Sequence, residues 1–334
     1  MVNKLYELLY DRILDITAVI NIPLKVFAIY VVLRHTPPPL RHYSFFILNT
    51  MIWNFFANFI YIFYHIMPLF PAPCFRVDGL SNLFIKSELF GQLAYFLAFI
   101  SFNQFGLALV FIFPHRYVVF THPKLAARIR TAWVFGLCGG VHVSFILVVA
   151  FYSPILTAMS SYDPNKAEHP DGPLVFCFDP TRAPSAFFNN GYMIVLIVAI
   201  LIIVASSILF LRKVKKMKNQ ITNDATLQLQ KKVFSNLLML TAIAVLFYCI
   251  PIVIFQCERI FTNMPYRQET AMICSLLLAN HGVVSAVAYL LFFQAYRDAV
   301  KRIFSDFIAP LTGWKNKRRS VVVKSLSTVA TGNV

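Results

Sequence analysis

The sequence predicts an all-α membrane protein, a bundle of seven transmembrane helices with the N-terminus outside and the C-terminus inside. Three observations predict it. Apolar runs recur at about 13–33, 44–67, 89–113, 131–153, 191–211, 233–255 and 271–293, each of the ~20 residues or more that an α-helix needs to cross the hydrocarbon core. Only 13% of residues are charged and 58% are hydrophobic, against ~25% charged in a soluble domain, so no single water-soluble core could hide this much apolar surface. The connections 34–43, 114–130, 212–232 and 294–334 hold 21 Lys and Arg, whereas 1–12, 68–88, 154–190 and 256–270 hold 8. Basic residues collect on the cytoplasmic side of membrane proteins, which sets the orientation. The net charge of +16 therefore reads as topology, and no DNA- or RNA-binding motif accompanies it.

Residues 1–12 are expected to form a short extracellular N-terminus. Lys4, Glu7, Asp11 and Arg12 stand there without the small-residue cleavage pattern of a removable signal. The first span contains Pro23 and the only charges inside any span, Asp15 and Lys25. Ten residues of helix, about 15 Å, keep those two apart. Asp15 is expected to be hydrated near the outer end, and Lys25 to snorkel inward or to meet an amide such as Asn49 of the second span. In the third span Gln92, Tyr95, Phe96, Phe99, Asn103 and Gly106 recur at the steps that share one helical face. Lipid offers the Asn103 amide no partner. Interior packing accounts for this face; the sharper expectation is that its outer half lines a pocket.

Gly136 and Gly140 form a Gly-x-x-x-Gly pair in span four, which permits close helix approach. The connection 212–232 is basic at both ends, with Arg212, Lys213, Lys215, Lys216 and Lys218, then Lys231 and Lys232, residues that anionic lipid attracts at about 1 kcal/mol each. Pro251 bends span six, as a static kink or as a hinge. Residues 294–309 place Val300, Ile303, Phe304 and Phe307 on one face beside Lys301 and Arg302, the pattern of a helix lying on the membrane surface. The stretch 310–334 is polar and basic and is expected to be a disordered cytoplasmic tail.

Of six cysteines, Cys138, Cys249 and Cys274 fall within spans and read as small apolar residues. Cys74 and Cys177 fall in outer connections, on the oxidising side, and are the preferred disulfide, with Cys257 at the outer end of span six as a competitor. The outer segments carry no glycosylation sequon. Enzyme chemistry finds no support: the eight histidines form no ligand cluster and no intramembrane acids are paired, so neither a metal nor another cofactor is expected. Span seven has no lysine for a retinal Schiff base. The rival class is a ligand-gated channel or transporter of seven helices, but repeated halves and midplane charges are lacking.

Particular residues carry a resemblance. Pro23, Tyr30 and Leu33-Arg34-His35-Thr36-Pro37, then Tyr43, Leu48-Asn49 and Trp53, and later Leu229-Gln230-Lys231-Lys232 and His281-Gly282, Ser285 and Tyr296-Arg297 together resemble the nematode serpentine chemosensory receptors, closest to the Srh class. The resemblance implies a G-protein-coupled receptor of the plasma membrane of chemosensory neurons, in the cilium, answering an environmental small molecule and signalling to a heterotrimeric G protein. His115-Arg116-Tyr117 ends span three, where rhodopsin-like receptors place an acid before the arginine; here His115 takes the place of the acid. Asn280-His281-Gly282 stands where such receptors have Asn-Pro-x-x-Tyr, and span two has no acid for a sodium site.

By depth and face, the expected ligand contacts are Gln92, Tyr95, Phe96, Phe99, Tyr248, Phe255 and His281. Aromatic walls with few polar groups suit a small, largely apolar odorant or tastant. Arg116, Tyr117, Lys213, Lys216, Lys232 and Arg297 are expected to face the G protein, with membrane lipid as the other partner and no nucleic acid.

Overall fold

A computed structural model of the protein describes residues 4–37, 41–69, 74–77, 79, 88–122, 131–158, 175–178, 183–217, 232, 235–236, 238–260 and 266–312. The chain runs as α1 (Lys4–His35), α2 (Arg41–Tyr64), β1 (Ile66–Pro68), β2 (Cys74–Val77), α3 (Glu88–Thr121), α4 (Thr131–Leu156), β3 (Thr157–Ala158), β4 (Val175–Phe178) and α5 (Ala183–Met217). It continues as α6 (Leu238–Glu258), α7 (Arg267–Phe292) and α8 (Gln294–Thr312). Among the described residues seven helices, α1 to α7, are long and apolar enough to cross a membrane. The chain is thus a multi-pass membrane protein, as the apolar runs required.

α3 and α7 are the most buried spans, while α4 and α5 are the least. The stripe on α3 explains its central place. A face of aromatic and amide groups gains from neighbours on all sides, whereas the all-round apolar α4 and α5 are satisfied by lipid. The Gly136 and Gly140 expectation fails, because a Cβ built on either would meet nothing within 4 Å. Among the described residues no helix uses the space those glycines leave.

α6 widens into a π-helical segment at Val245–Cys249, closed by the Ile250 amide on the Val245 carbonyl. Pro251 supplies the cause: its ring clashes with the carbonyl four residues earlier and offers no N–H, and a wider turn relieves both. The extra residue turns Tyr248 inward, where it is buried and donates to the Phe102 carbonyl at 2.9 Å.

The all-α expectation omits a small antiparallel sheet of strand order β1-β2-β4-β3, with Ile66 opposite Val77 and Cys74 opposite Cys177. Cys74 is disulfide-bonded. Cys257, the competitor, is a free thiol, as are Cys138, Cys249 and Cys274. The sheet is fastened to the bundle by polar contacts. The Tyr10 and Tyr61 hydroxyls both donate to the Ile66 carbonyl, at 2.8 and 2.9 Å, the Gln268 amide donates to the Pro68 carbonyl, and Arg76 pairs with Glu7 at 3.0 Å. α1 reaches these groups because it begins at Lys4, well before its apolar run. Its Asp11 and Asp15 approach His65, at 3.4 and 3.6 Å, where a positive φ of 43° turns the chain from α2 into β1.

Candidate functional site

Under the sheet, α3, α6 and α7 part to leave a cavity of about 110 Å³. Its walls are aromatic. Tyr95, Phe99 and Phe102 come from α3, Phe255 and Ile252 from α6, Leu278 from α7, Tyr61 from α2, and Phe75 and Ile66 from the sheet above. Phe75 lies parallel to Phe255 at 6.2 Å and 4.8 Å from Tyr95, so the sheet and the helices close over the space together. Ala98 leaves room in the wall, and Asn103, Gln256 and Ser275 are its amide and hydroxyl members. No charged residue lines it among the described residues. An apolar cavity of ~150 Å³ takes up a benzene-sized molecule, so this one suits a small uncharged guest.

Tyr95, Phe99 and Phe255, three of the seven expected contacts, line the cavity. The other four do not. Gln92 is half-buried one turn beyond the lining and Phe96 is buried beside Tyr95. Tyr248 stacks on Phe102 at 6.1 Å beneath the floor, and His281, fully buried, belongs to a second site. Asn103 finds its partner within its own helix, donating to the Phe99 carbonyl at 2.8 Å. Tyr61, Ile66, Phe75, Ala98, Phe102, Ile252, Gln256, Ser275 and Leu278 were not anticipated. A signal existed for Ala98 and Phe102, which flank the α3 stripe, but none for Phe75, which arrives from a strand.

The second site lies deeper, where α1, α2 and α7 meet around Lys25. The Lys25 ammonium is buried and donates to the Asn54 carbonyl at 3.0 Å. It neither snorkels nor meets Asn49. The Asn54 amide donates to His281 Nδ1 at 2.8 Å, so in the neutral ring Nε2 carries the proton and donates to Ser285 Oγ at 3.1 Å. Thr50 and Tyr289 close the cluster at 3.1 Å. Gly282 is where the ammonium passes: a Cβ there would strike Lys25 Nζ and Asn54 Oδ1. Only about 10 Å³ stays open, at or below the room of a single water.

Asn49 instead donates to His142 Nε2 at 3.1 Å, while His142 Nδ1 meets the Gln104 side chain and Trp53 stacks on the same ring at 5.7 Å. α2, α3 and α4 are clamped on one imidazole. At the end of the bundle away from the sheet, Thr36 and Tyr296 share a hydrogen bond of 3.1 Å, joining α1 to α8. Burial raises the Tyr296 phenol above its ordinary value. α8 exposes Phe304, Phe307 and Ile308.

The residues expected to face a G protein gather at this same end. Tyr117 and Lys213 are half-buried, Lys232 donates to Gln294 at 3.0 Å, and Arg297 reaches the Leu291 carbonyl at 3.4 Å. His115 packs 4.5 Å from Phe46. The side chains of Arg116 and Lys216, residues 229–231, residues 313–334 and the Cys177 side chain lie outside the described residues.

Comparison with known proteins places this geometry. The model of a family described as serpentine type 7TM GPCR chemoreceptor Srh matches residues 7–306. Among solved structures, squid rhodopsin superposes with a TM-score of 0.64 at 14% identity, over 90% of this chain and 86% of that one. At that identity the likeness is one of fold. No match is found among curated proteins.

Proposed function

Because the chain belongs to the Srh family of serpentine seven-transmembrane G-protein-coupled chemoreceptors, we propose that it binds an environmental small molecule in the cavity under the sheet and activates a heterotrimeric G protein at the opposite end. The observation that carries the reading is the cavity itself, an aromatic space without charge between α3, α6 and α7. The excess of Lys and Arg in the connections at the other end supports an orientation with the sheet outside the cell, and the register of Cys74 with Cys177 supports that disulfide as the clasp of the sheet. In this reading the receptor sits in the plasma membrane of a chemosensory neuron, in its cilium.

Activation requires a ligand that binds the active arrangement more tightly than the resting one, since equal affinity shifts nothing. A guest wedged among α3, α6 and α7 touches the helix that carries the π-helical segment. A change in α6 beyond that segment opens the inner ends of α3, α5 and α6. Arg116, Tyr117, Lys213, Lys216, Lys232 and Arg297 then form the basic surface offered to the G protein. The test is second-messenger output in cells expressing the chain, challenged with volatile and water-soluble compounds, with and without Arg116→Ala. A dose-dependent response that the substitution abolishes is expected. A compound-evoked current without second-messenger output, at confirmed surface expression, would replace the receptor reading with a channel.

A further inference from the structure

Asn103, Gln256 and Ser275 all line the cavity, but they have different amounts left to offer a guest. The Ser275 hydroxyl is already bonded to the Tyr10 and Tyr61 phenols. Gln256, near the outer end of α6, is half-buried. Water reaches its amide, and a guest bonded there replaces one partner by another at little gain. Asn103 is 9% exposed. It stands eight residues, about 12 Å, further along α3 than Tyr95, which meets Phe75 of the sheet at 4.8 Å, and so it belongs to the floor. Its side chain is bonded to the Phe99 carbonyl at 2.8 Å. A carbonyl accepts and never donates, so the atom facing Phe99 is Nδ2 and the atom left over is Oδ1. Among the described residues nothing donates to that oxygen. Nδ2 has a second hydrogen to give but already holds one bond; Oδ1 holds none. A buried acceptor without a donor is costly, and lipid supplies no donor. The cost falls when a guest brings a hydrogen.

The rest of the wall limits the guest in two ways. No charged side chain lines the cavity among the described residues, so an ionised guest would surrender its hydration without a counter-charge. The volume of about 110 Å³ falls somewhat under the ~150 Å³ that accepts a benzene-sized molecule. Resting on the cavity's role as the ligand site, we infer that the receptor takes an uncharged hydrogen-bond donor of about six non-hydrogen atoms, whose O–H or N–H donates to Asn103 Oδ1 while its carbon skeleton packs on Phe99, Phe102 and Phe255. Small alcohols and amides form this class. Ketones, ethers and hydrocarbons of the same size bring no hydrogen to the floor and bind less well, and ionised acids and amines fall outside it.

The test uses cyclopentanol, cyclopentanone and methylcyclopentane, which share a ring and a count of non-hydrogen atoms and differ in offering a donor, an acceptor only, or neither. Binding to the purified full-length receptor in lipid nanodiscs is read as ligand-induced thermal stabilisation, and response as second-messenger output. The wild type is expected to prefer cyclopentanol to the other two by about tenfold, the scale of one hydrogen bond to a group otherwise unpaired. Asn103→Leu and the smaller Asn103→Ala both remove the preference while methylcyclopentane still binds, which shows the bundle intact. Gln256→Leu, at the half-buried amide, keeps the ranking of the three. A wild type that binds cyclopentanol no better than cyclopentanone, or binds none of the three, overturns the inference; so does a preference that survives both Asn103 variants or is lost in Gln256→Leu. Ala98→Phe, which fills the cavity, separates the two levels. If it abolishes the binding of all probes while the Asn103 variants change no preference, the cavity is the ligand site and the Asn103 contact is wrong. If probes bind or act undiminished in Ala98→Phe, the cavity is not the ligand site, and both readings fall.

Discussion

The cavity and the Lys25 cluster draw on the same helix and are built in opposite ways. On α7, Ser275 faces the cavity and Gly282 seats the Lys25 ammonium, seven residues or about 10 Å apart along the axis. The upper site is walled by aromatic rings and keeps about 110 Å³ open. The lower one keeps about 10 Å³ and engages ammonium, amide, imidazole and hydroxyl with one another. Open apolar space suits a guest, and polar groups joined without space suit a joint. In hydrocarbon no water can stand in for a missing partner, so the three helices around Lys25 hold their register through these bonds.

Substitutions at the two sites should therefore fail differently. The largest effect is expected at Gly282. Gly282→Val drives a side chain into Lys25 Nζ and the Asn54 amide, and overpacking combined with the loss of their hydrogen bonds should cost about 3 kcal/mol. Thermal denaturation in nanodiscs reads it. Shortening the offending neighbour with Lys25→Ala in the same chain should return part of the loss, and simple additivity of the two would mean that the ammonium does not rest on Gly282. Next in size is Asn54→Leu, which deprives His281 of its donor and should cost about 2 kcal/mol.

How far the sequence reaches is visible at Lys25. Its oddity was legible, because a lysine inside a span always calls for a partner. The partner was not: Asn49 and Asn54 are five residues apart, on different faces of α2, and only packing decides which one meets α1 and which one meets His142. The same limit explains the ligand contacts. Tyr95, Phe99 and Phe255 follow from helical period and depth, but the π-helical segment turns Tyr248 out of the 3.6-residue phase that sequence reading assumes. Phe75 lies on a four-residue strand, too short to carry a pattern. The seven spans are the easy part, since length and polarity alone determine them. Several residues that carried the family resemblance prove to be contacts of one another or of the bundle: Thr36 with Tyr296, His281 with Ser285, and Asn49 and Trp53 on His142.

The α2–α3–α4 clamp offers a smaller effect that tests the joint in a second place. His142→Phe keeps the ring's bulk and its stack on Trp53 and leaves the Gln104 amide on the residue-142 carbonyl, but removes the ring's bonds to Asn49 and to Gln104 Oε1, at about 1–2 kcal/mol. Adding Asn49→Leu and Gln104→Leu removes the partners left behind and should recover most of it, since deleting all partners of a buried bond is nearly neutral. A triple variant no more stable than the single one would show that the imidazole does more than hold three helices. Smallest of all is Gly140→Ala, which meets nothing and should stay within about 0.5 kcal/mol of the parent in melting.

The measurement that tests the contrast most directly crosses two variants with two readouts. Ala98→Phe fills the cavity and Asn54→Leu breaks the joint; apparent melting temperature and half-maximal agonist concentration are recorded for both. Ala98→Phe should leave melting unchanged and raise the half-maximal concentration at least about tenfold. Asn54→Leu should lower the melting temperature and leave that concentration near the parent's among receptors that reach the surface. If filling the cavity leaves the agonist response untouched while Asn54→Leu abolishes it, the cavity is not the ligand site and the assignment of the two regions fails.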